Sequence, residues 1–187
     1  SASENMHRHN EEEMIRILLS PERAKFEDPS KFIPKLLRGG EVVAELGCGP
    51  GYYCRELIKL ASTLYCVDRS SKSLEFVRKL NGAIVLNEDS SKTSIPPNSI
   101  DIVLLADSFH DMDREATYME VLRILKGDGK VIVVDWRKDA PMGPPPSLRM
   151  SKEDYIKQFR DFLLETEFDV GPYHYGLVFR RMKPEFN

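Results

Sequence analysis

With 187 residues, 41% of them apolar and 30% charged, the chain has the size and composition of one globular domain with one sizeable core. A formal net charge of -3 gives no reason to expect nucleic acid or an anionic membrane as an obligatory partner. No apolar run approaches the roughly 20 residues that a membrane span needs. Ser1 to Asn5 lacks a basic stretch followed by an apolar one, so a cytoplasmic location is expected.

In chain order, residues 1–10, with His7 and His9, are expected to be disordered or extraneous to the fold, Met6 being a candidate natural start. Residues 11–38 are expected to form a helical lid and residues 39–187 the core of a single domain. Glu11 to Leu19 and Lys31 to Leu37 read as helices, with Pro21, Pro29 and Pro34 breaking up the region. Short, continuously apolar runs then follow at Val42 to Leu46, Thr63 to Val67, Ala83 to Leu86, Ile100 to Leu105 and Lys130 to Val134. They suit strands buried on both faces of a parallel sheet. Helical patterns alternate with them, at Tyr52 to Ala61, Ser71 to Leu80 and Arg114 to Lys126. Gly127-Asp128-Gly129 is expected to stop the last of these.

Beyond the fifth strand, Asp139 to Pro146 reads as a stiff loop. Ser151 opens a capping box for a helix expected to bury Tyr155, Phe159, Phe162 and Leu163. Glu165 to Val170 and Tyr175 to Met182, parted by Gly171-Pro172, read as an antiparallel hairpin on the sheet edge. The alternation predicts an α/β domain with a doubly wound sheet: five parallel strands plus a C-terminal antiparallel hairpin, helices on both faces.

The first strand runs into Glu45-Leu46-Gly47-Cys48-Gly49-Pro50-Gly51. Glycines at alternate positions let the backbone turn tightly and approach a ligand, because no Cβ stands in the way. In an open α/β sheet such a turn lies at the carboxyl ends of the strands, where ligands bind. Glu45, two residues before the first glycine, points to a ligand with hydroxyls or a cationic group. Asp68 ends the second strand 21 residues after Gly47, and its two oxygens suit a vicinal ribose diol; the plainer alternative is a surface cap.

A dinucleotide turn of the form G-x-G-x-x-G is missing. Its third glycine falls on Tyr52 counted from Gly47, or on Cys54 counted from Gly49, and a bulky residue there holds helix and strand apart. There is likewise no Gly-Lys-Ser/Thr ending for a phosphate loop.

At these residues the chain resembles the class I S-adenosylmethionine-dependent methyltransferases, which share a Rossmann-like sheet. The pattern E/D-x-G-x-G-x-G falls on Glu45, Gly47, Gly49 and Gly51, with Asp68 downstream. Glu88-Asp89-Ser90 resembles the family's adenine-contacting segment, and Ala106-Asp107-Ser108-Phe109-His110 its methionine-side loop. Leu125 to Lys130 resembles its L-K-P-G-G turn, with Gly127 where proline is usual. The likeness runs from about Leu36 to Met182 and is closest to the small type 11 branch, similar to quinone-biosynthesis methyltransferases.

The resemblance implies a set of cofactor contacts. Gly47 and Gly49 would pack against the methionine and ribose, with Cys48 and Gly51 in the same turn. Glu45 would orient the ammonium group, and Asp68, beside Arg69, would take the ribose hydroxyls. Asp89 and Ser90 would hold the adenine, the alternative being a solvated loop. Ala106, near Ser108, would offer its carbonyl to the ammonium.

His110 is the candidate base, at a strand end on the binding face, with Asp111 or Asp113 fixing its tautomer or else capping the next helix. Trp136 and Arg137 follow the fifth strand, where the indole walls a substrate pocket or simply packs. Tyr173, His174 and Tyr175 fall at the hairpin turn, either near the substrate or on a far exposed edge. Cys48, Cys54 and Cys66 lack C-x-x-C spacing and read as small, partly buried thiols, so no metal is expected. The expected function is methyl transfer from S-adenosylmethionine, leaving S-adenosylhomocysteine, to a small-molecule acceptor. The alternatives are a non-catalytic S-adenosylmethionine-binding subunit and, further off, an NAD-dependent oxidoreductase.

Overall fold

The computed structural model describes residues 2–182, with the side chains at 4, 5 and 7–9 outside the description; His7 and His9 are among these. Seven strands form one sheet: β1 (Val42–Leu46), β2 (Thr63–Val67), β3 (Ile84–Leu86), β4 (Ile100–Ala106), β5 (Leu125–Trp136), β6 (Phe162–Phe168) and β7 (His174–Arg181). Their order is β3-β2-β1-β4-β5-β7-β6. The first five strands are parallel, and β7 inserts antiparallel between β5 and β6. The chain leaves β1 for β2 on one side and reaches β4 on the other, so strand order reverses between β1 and β4. A ligand crevice is expected at their carboxyl ends.

Side chains alternate across the sheet with the period of two that extended chain imposes. Val43, Cys66, Leu104 and Val134 meet one helical layer, which includes Ile33, Tyr53, Leu57, Leu74 and Val77. Ala44, Leu46, Val103 and Val133 meet the other, built on Phe109, Tyr118, Val121, Tyr155 and Phe159. Helices thus cover both faces: α1 (Ala2–Leu18), α2 (Ile33–Leu36), α3 (Cys54–Leu57), α4 (Ser71–Val77), α5 (Arg114–Ile124) and α6 (Lys152–Gln158).

Several elements differ from the sequence expectation. Helix α1 begins at Ala2, so residues from 2 onward, expected to be disordered, are helical. Helix α3 is one turn, because the bonds after Gly51 alternate between three- and four-residue spacing: Glu56 N to Tyr53 O at 3.0 Å, Ile58 N to Cys54 O at 2.9 Å. Helix α5 ends at Ile124, before the glycines, because Leu125 is already extended (ψ 136°) and pairs with Ile100. Gly127-Asp128-Gly129 therefore lies within β5 and stops nothing. A Cβ on Gly129 would stand 2.5 Å from Leu125 Cγ, so close approach requires the glycine there.

The capping box at Ser151 is present, with Asp154 N donating to Ser151 Oγ at 3.1 Å and Ser151 N to Asp154 Oδ2 at 2.8 Å. Its helix buries Tyr155 and leads to buried Phe159. Phe162 is buried from β6 instead, and Leu163 is 49% exposed on that strand. The proline-rich loop is held by Arg149, whose guanidinium donates to five carbonyls: Pro144 at 2.9 Å, Arg137 at 3.3 Å, Lys138 at 3.0 Å, Ala140 at 2.8 Å and Met142 at 3.1 Å.

Candidate functional site

The glycine turn hangs from the end of β2. Gly47 N and Cys48 N both donate to Val67 O, at 2.8 and 3.0 Å. Asp68 then ties two loops together: Oδ2 accepts from Gly49 N and Oδ1 from Ser70 N, each at 2.8 Å. Gly47 sits at φ 74°, and a Cβ there would meet Ser108 Cβ at 2.8 Å and Met112 Cε at 2.7 Å. The turn is closed against the β4 loop, and glycine is what permits it.

Above this turn lies a cavity of about 430 Å³. Gly47 and Gly49 line it from β1, Asp68 and Arg69 from β2, and Asp89 and Ser90 from the loop after β3. Asp107, Ser108, Asp111, Met112 and Asp113 line it from the β4 loop, and Leu18 from the end of α1. Helix α1 is tied to the start of α4, where Ser70 Oγ donates to Glu11 and Lys72 Nζ to Glu12 at 2.5 Å. Arg69 stands 3.5 Å from Asp89, whose carboxyl is held below its usual range by bonds from Ser91.

Five of the expected residues do not line the cavity. Glu45 is buried beneath the turn, where Cys54 Sγ donates to it at 3.2 Å. Burial, with Cys66 alongside, pushes its carboxyl well above the usual range. Cys48 is buried, its thiol on Gly49 O at 3.4 Å. Gly51 packs toward α4, where a Cβ would meet Val77 at 3.1 Å. Ala106 is buried at the end of β4, and its neighbour Asp107 reaches the cavity from the left-handed region, at φ 54°. All three cysteines are free and buried, with Cys54 and Cys66 sulfurs 2.9 Å apart.

His110, the fifth, occupies the short turn Phe109–Asp111 and is 5% exposed. Its Nδ1 lies 3.0 Å from Asp135 Oδ1, and Tyr155 donates to Asp135 Oδ2 at 2.5 Å. Burial alone would lower the imidazole pKa. The hydrogen bond and charge of Asp135, with Asp111 and Asp107, outweigh burial and raise it. Asp135 is therefore the tautomer-fixing acid, in place of Asp111 or Asp113. Asp113 caps α5, accepting from Ala116 N at 3.1 Å, and Asp111 faces the cavity. The signal for Asp135 was a lone acid inside the apolar strand Val131 to Trp136.

A second group had no sequence expectation as a unit. Arg23 donates to Glu27 Oε1 at 2.9 Å, to Asp107 Oδ2 at 3.0 Å and to Leu18 O at 2.9 Å. Tyr53 donates to Glu27 Oε2 at 2.5 Å, and Tyr52 to Glu27 O at 2.6 Å. Tyr52 also lies under the Arg23 guanidinium, 4.1 Å from ring centre to carbon. The residue that displaced the dinucleotide glycine thus anchors the segment after α1 that carries Arg23 and Glu27. His174 is fully buried against this cluster and 4.1 Å from Trp136 between ring centres, so it sits neither on an exposed edge nor at a free turn. Tyr175 points away, donating to Met150 O.

A methyltransferase-domain family model matches residues 44–133. A solved structure from Sulfolobus solfataricus, of a protein assigned to the type 11 methyltransferases, is 41% identical with a TM-score of 0.80; the match covers 87% of this chain and 96% of that one. An S-adenosylmethionine-dependent methyltransferase structure from Aquifex aeolicus has the same fold, at 24% identity and a TM-score of 0.83, over 91% of this chain and 98% of that one. Among curated relatives, an uncharacterized methyltransferase of Geobacillus thermodenitrificans is 24% identical over 103 residues, 52% of this chain and 48% of that protein. The chain thus spans about half the length of the curated relatives that it matches first. Motif, sheet order and relatives agree: the chain belongs to the type 11 family of class I S-adenosylmethionine-dependent methyltransferases.

Proposed function

We propose that the protein transfers the methyl group of S-adenosylmethionine to a small-molecule acceptor, with the cofactor in the cavity above the glycine turn. The observation that carries this reading is the convergence on one cavity of Gly47, Gly49, Asp68, Asp89, Ser90 and Ser108. Its volume lies within the roughly 300–1,000 Å³ of small-molecule sites. When bound, the sulfonium supplies an activated methyl, so the protein need only position and shield.

In this reading Asp68 accepts the ribose hydroxyls with the oxygen lone pairs that Gly49 and Ser70 leave free. Asp89 and Ser90 take the adenine edge, and Gly47 and Gly49 let the backbone approach. Ser108 lines the methionine end, Ala106 offers its carbonyl from the end of β4, and Glu45 acts from beneath the turn. Leu18 and Asp107 wall the same cavity, and Arg23 holds Asp107 in place, which supports a small acceptor. His110, on the loop whose Ser108 and Asp111 line the cavity, serves as base where the acceptor must lose a proton.

Calorimetry with S-adenosylhomocysteine tests the cofactor assignment. Binding by the wild type and at least tenfold loss in Asp68→Ala are expected. A melting temperature unmoved by S-adenosylhomocysteine but raised by NADH would remove the reading. Labelled S-adenosylmethionine with fractionated extract then identifies the acceptor by the methyl it carries.

A further inference from the structure

We propose that Glu27, Asp107 and His174 form a site for one first-row divalent metal ion at the inner end of the cavity. The three side chains come from distant parts of the chain: the segment after α1, the end of β4 and the first residue of β7. His174 Nε2 lies 3.2 Å from Asp107 Oδ1 and 3.5 Å from Glu27 Oε1. Ligand atoms held about 2.1 Å from one metal at roughly 90–115° stand about 3.0–3.5 Å apart, which fits both distances from His174, and the three ligand atoms all lie within 4.8 Å of one another. Among the described residues this is the one group of His, Cys, Asp and Glu with such convergence.

An independent observation points the same way. Asp107 Oδ1 and both ring nitrogens of His174 are buried without a hydrogen-bond partner. Nε2 and Oδ1 are close enough to bond, yet their alignment is wrong for it, as with two atoms that face a common third. Buried polar atoms left unpaired are costly, and few survive in a folded protein without an occupant to satisfy them. A single occupant between them meets Oδ1 and Nε2 together, and a metal ion engages Glu27 Oε1 as well.

The surroundings are those of a built site. Tyr53 and Arg23 hold the two oxygens of Glu27, and Arg23 holds the other oxygen of Asp107. Such outer contacts fix the orientation of ligating carboxylates. One imidazole with two carboxylates selects manganese, iron(II), cobalt or zinc over calcium and magnesium. The Arg23 charge beside the ligands weakens binding relative to an uncompensated pair of acids, so the ion is expected to be exchangeable. Asp107 also lines the cavity, so the ion would sit directly behind the cavity wall. None of this depends on the acceptor assigned above.

Cobalt(II) is the probe, because its visible bands report both geometry and ligand type. Protein stripped with chelator and dialysed against cobalt(II) should hold one equivalent. Its bands should be those of nitrogen and oxygen ligation, without the thiolate charge transfer that the three cysteines would give. His174→Ala, folded by circular dichroism, should lose that equivalent, and zinc should displace it from the wild type. No stoichiometric cobalt, an unchanged spectrum in His174→Ala, or a thiolate band overturns the proposal. If His174→Ala fails to fold, His174→Gln is read in its place. If that also fails, the wild-type stoichiometry and ligand bands decide alone.

Discussion

Replacing Arg23 by methionine tests whether the segment after α1 is held to the sheet by charge or only by shape. The guanidinium is 11% exposed and makes three hydrogen bonds, two of them to the carboxylates of Glu27 and Asp107. Glu27 is fully buried. Burial would raise its carboxyl, but Asp107 alongside and the Arg23 and His174 charges bring it down to about 2. Methionine keeps an unbranched apolar stem but takes the guanidinium away from the face of Tyr52 and strands that carboxylate. Hydrogen bonds to charged groups contribute about 1.5–3 kcal/mol each, but the losses overlap because one guanidinium makes them all. The better guide is the removal of one partner from a buried ion pair, which costs about 3–5 kcal/mol. At about 2–4 °C per kcal/mol for a domain of this size, the melting temperature should fall by roughly 6–20 °C. Scanning calorimetry in chelating buffer measures it, with Lys25→Met as control, since Lys25 and Glu22 form an exposed pair worth at most about 1 kcal/mol. A fall in Arg23→Met no larger than in the control would refute the reasoning.

Other parts of the fold make separable predictions. Arg149→Met strips the donor from five carbonyls of the proline-rich loop; water recovers most of them, so a loss of about 2–4 kcal/mol and faster proteolysis between Arg137 and Pro146 are expected. Gly47→Ala puts a Cβ against Ser108 and Met112 from a left-handed backbone, and should cost about 1–3 kcal/mol and weaken S-adenosylhomocysteine in calorimetry. Gly129→Ala should cost a similar amount through Leu125 and the Lys126 carbonyl, leaving cofactor affinity unchanged.

What was legible in the sequence follows from what is local. Strands β1, β2 and β4 were readable to within a residue because buried parallel strands leave continuous apolar runs. The glycine turn, Asp68, Asp89 and Ser108 were readable because strand ends deliver them to one crevice. The first turns of α1 were not, since Ser3 to Glu13 carries almost no apolar period and its anchors, Ser70 and Lys72, lie some 60 positions away. Arg23 and Glu27 have helical spacing in the sequence, but the prolines around them hide it, and Asp107 and His174 join only through the sheet. The glycines after α5 misled because glycine so often ends a helix, whereas here a parallel partner, Ile100, had already drawn Leu125 into extended form.

Asp135 is where sequence and structure part most usefully, because it turns the candidate base into a testable titration. With its partner, His110 holds a proton more tightly in the folded state than in the unfolded one, where its pKa is near 6.5. The stability drawn from that pair is fully present below about pH 6.5 and is lost as pH rises through the raised folded value. Only the neutral ring accepts a proton, so methyl transfer should increase over the same interval in which this stabilisation fades. Asp135→Asn removes the charge that raises His110: the rising limb of kcat/KM should move to lower pH, and its plateau should drop as the tautomer is freed. His110→Ala should lose the limb altogether, with a plateau roughly 10²–10⁴-fold lower and unchanged S-adenosylhomocysteine affinity. A limb that stays in place in Asp135→Asn would assign it to another group. A wild-type plateau in His110→Ala would make this histidine a structural partner of Asp135, leaving the acceptor to react without a base from this loop.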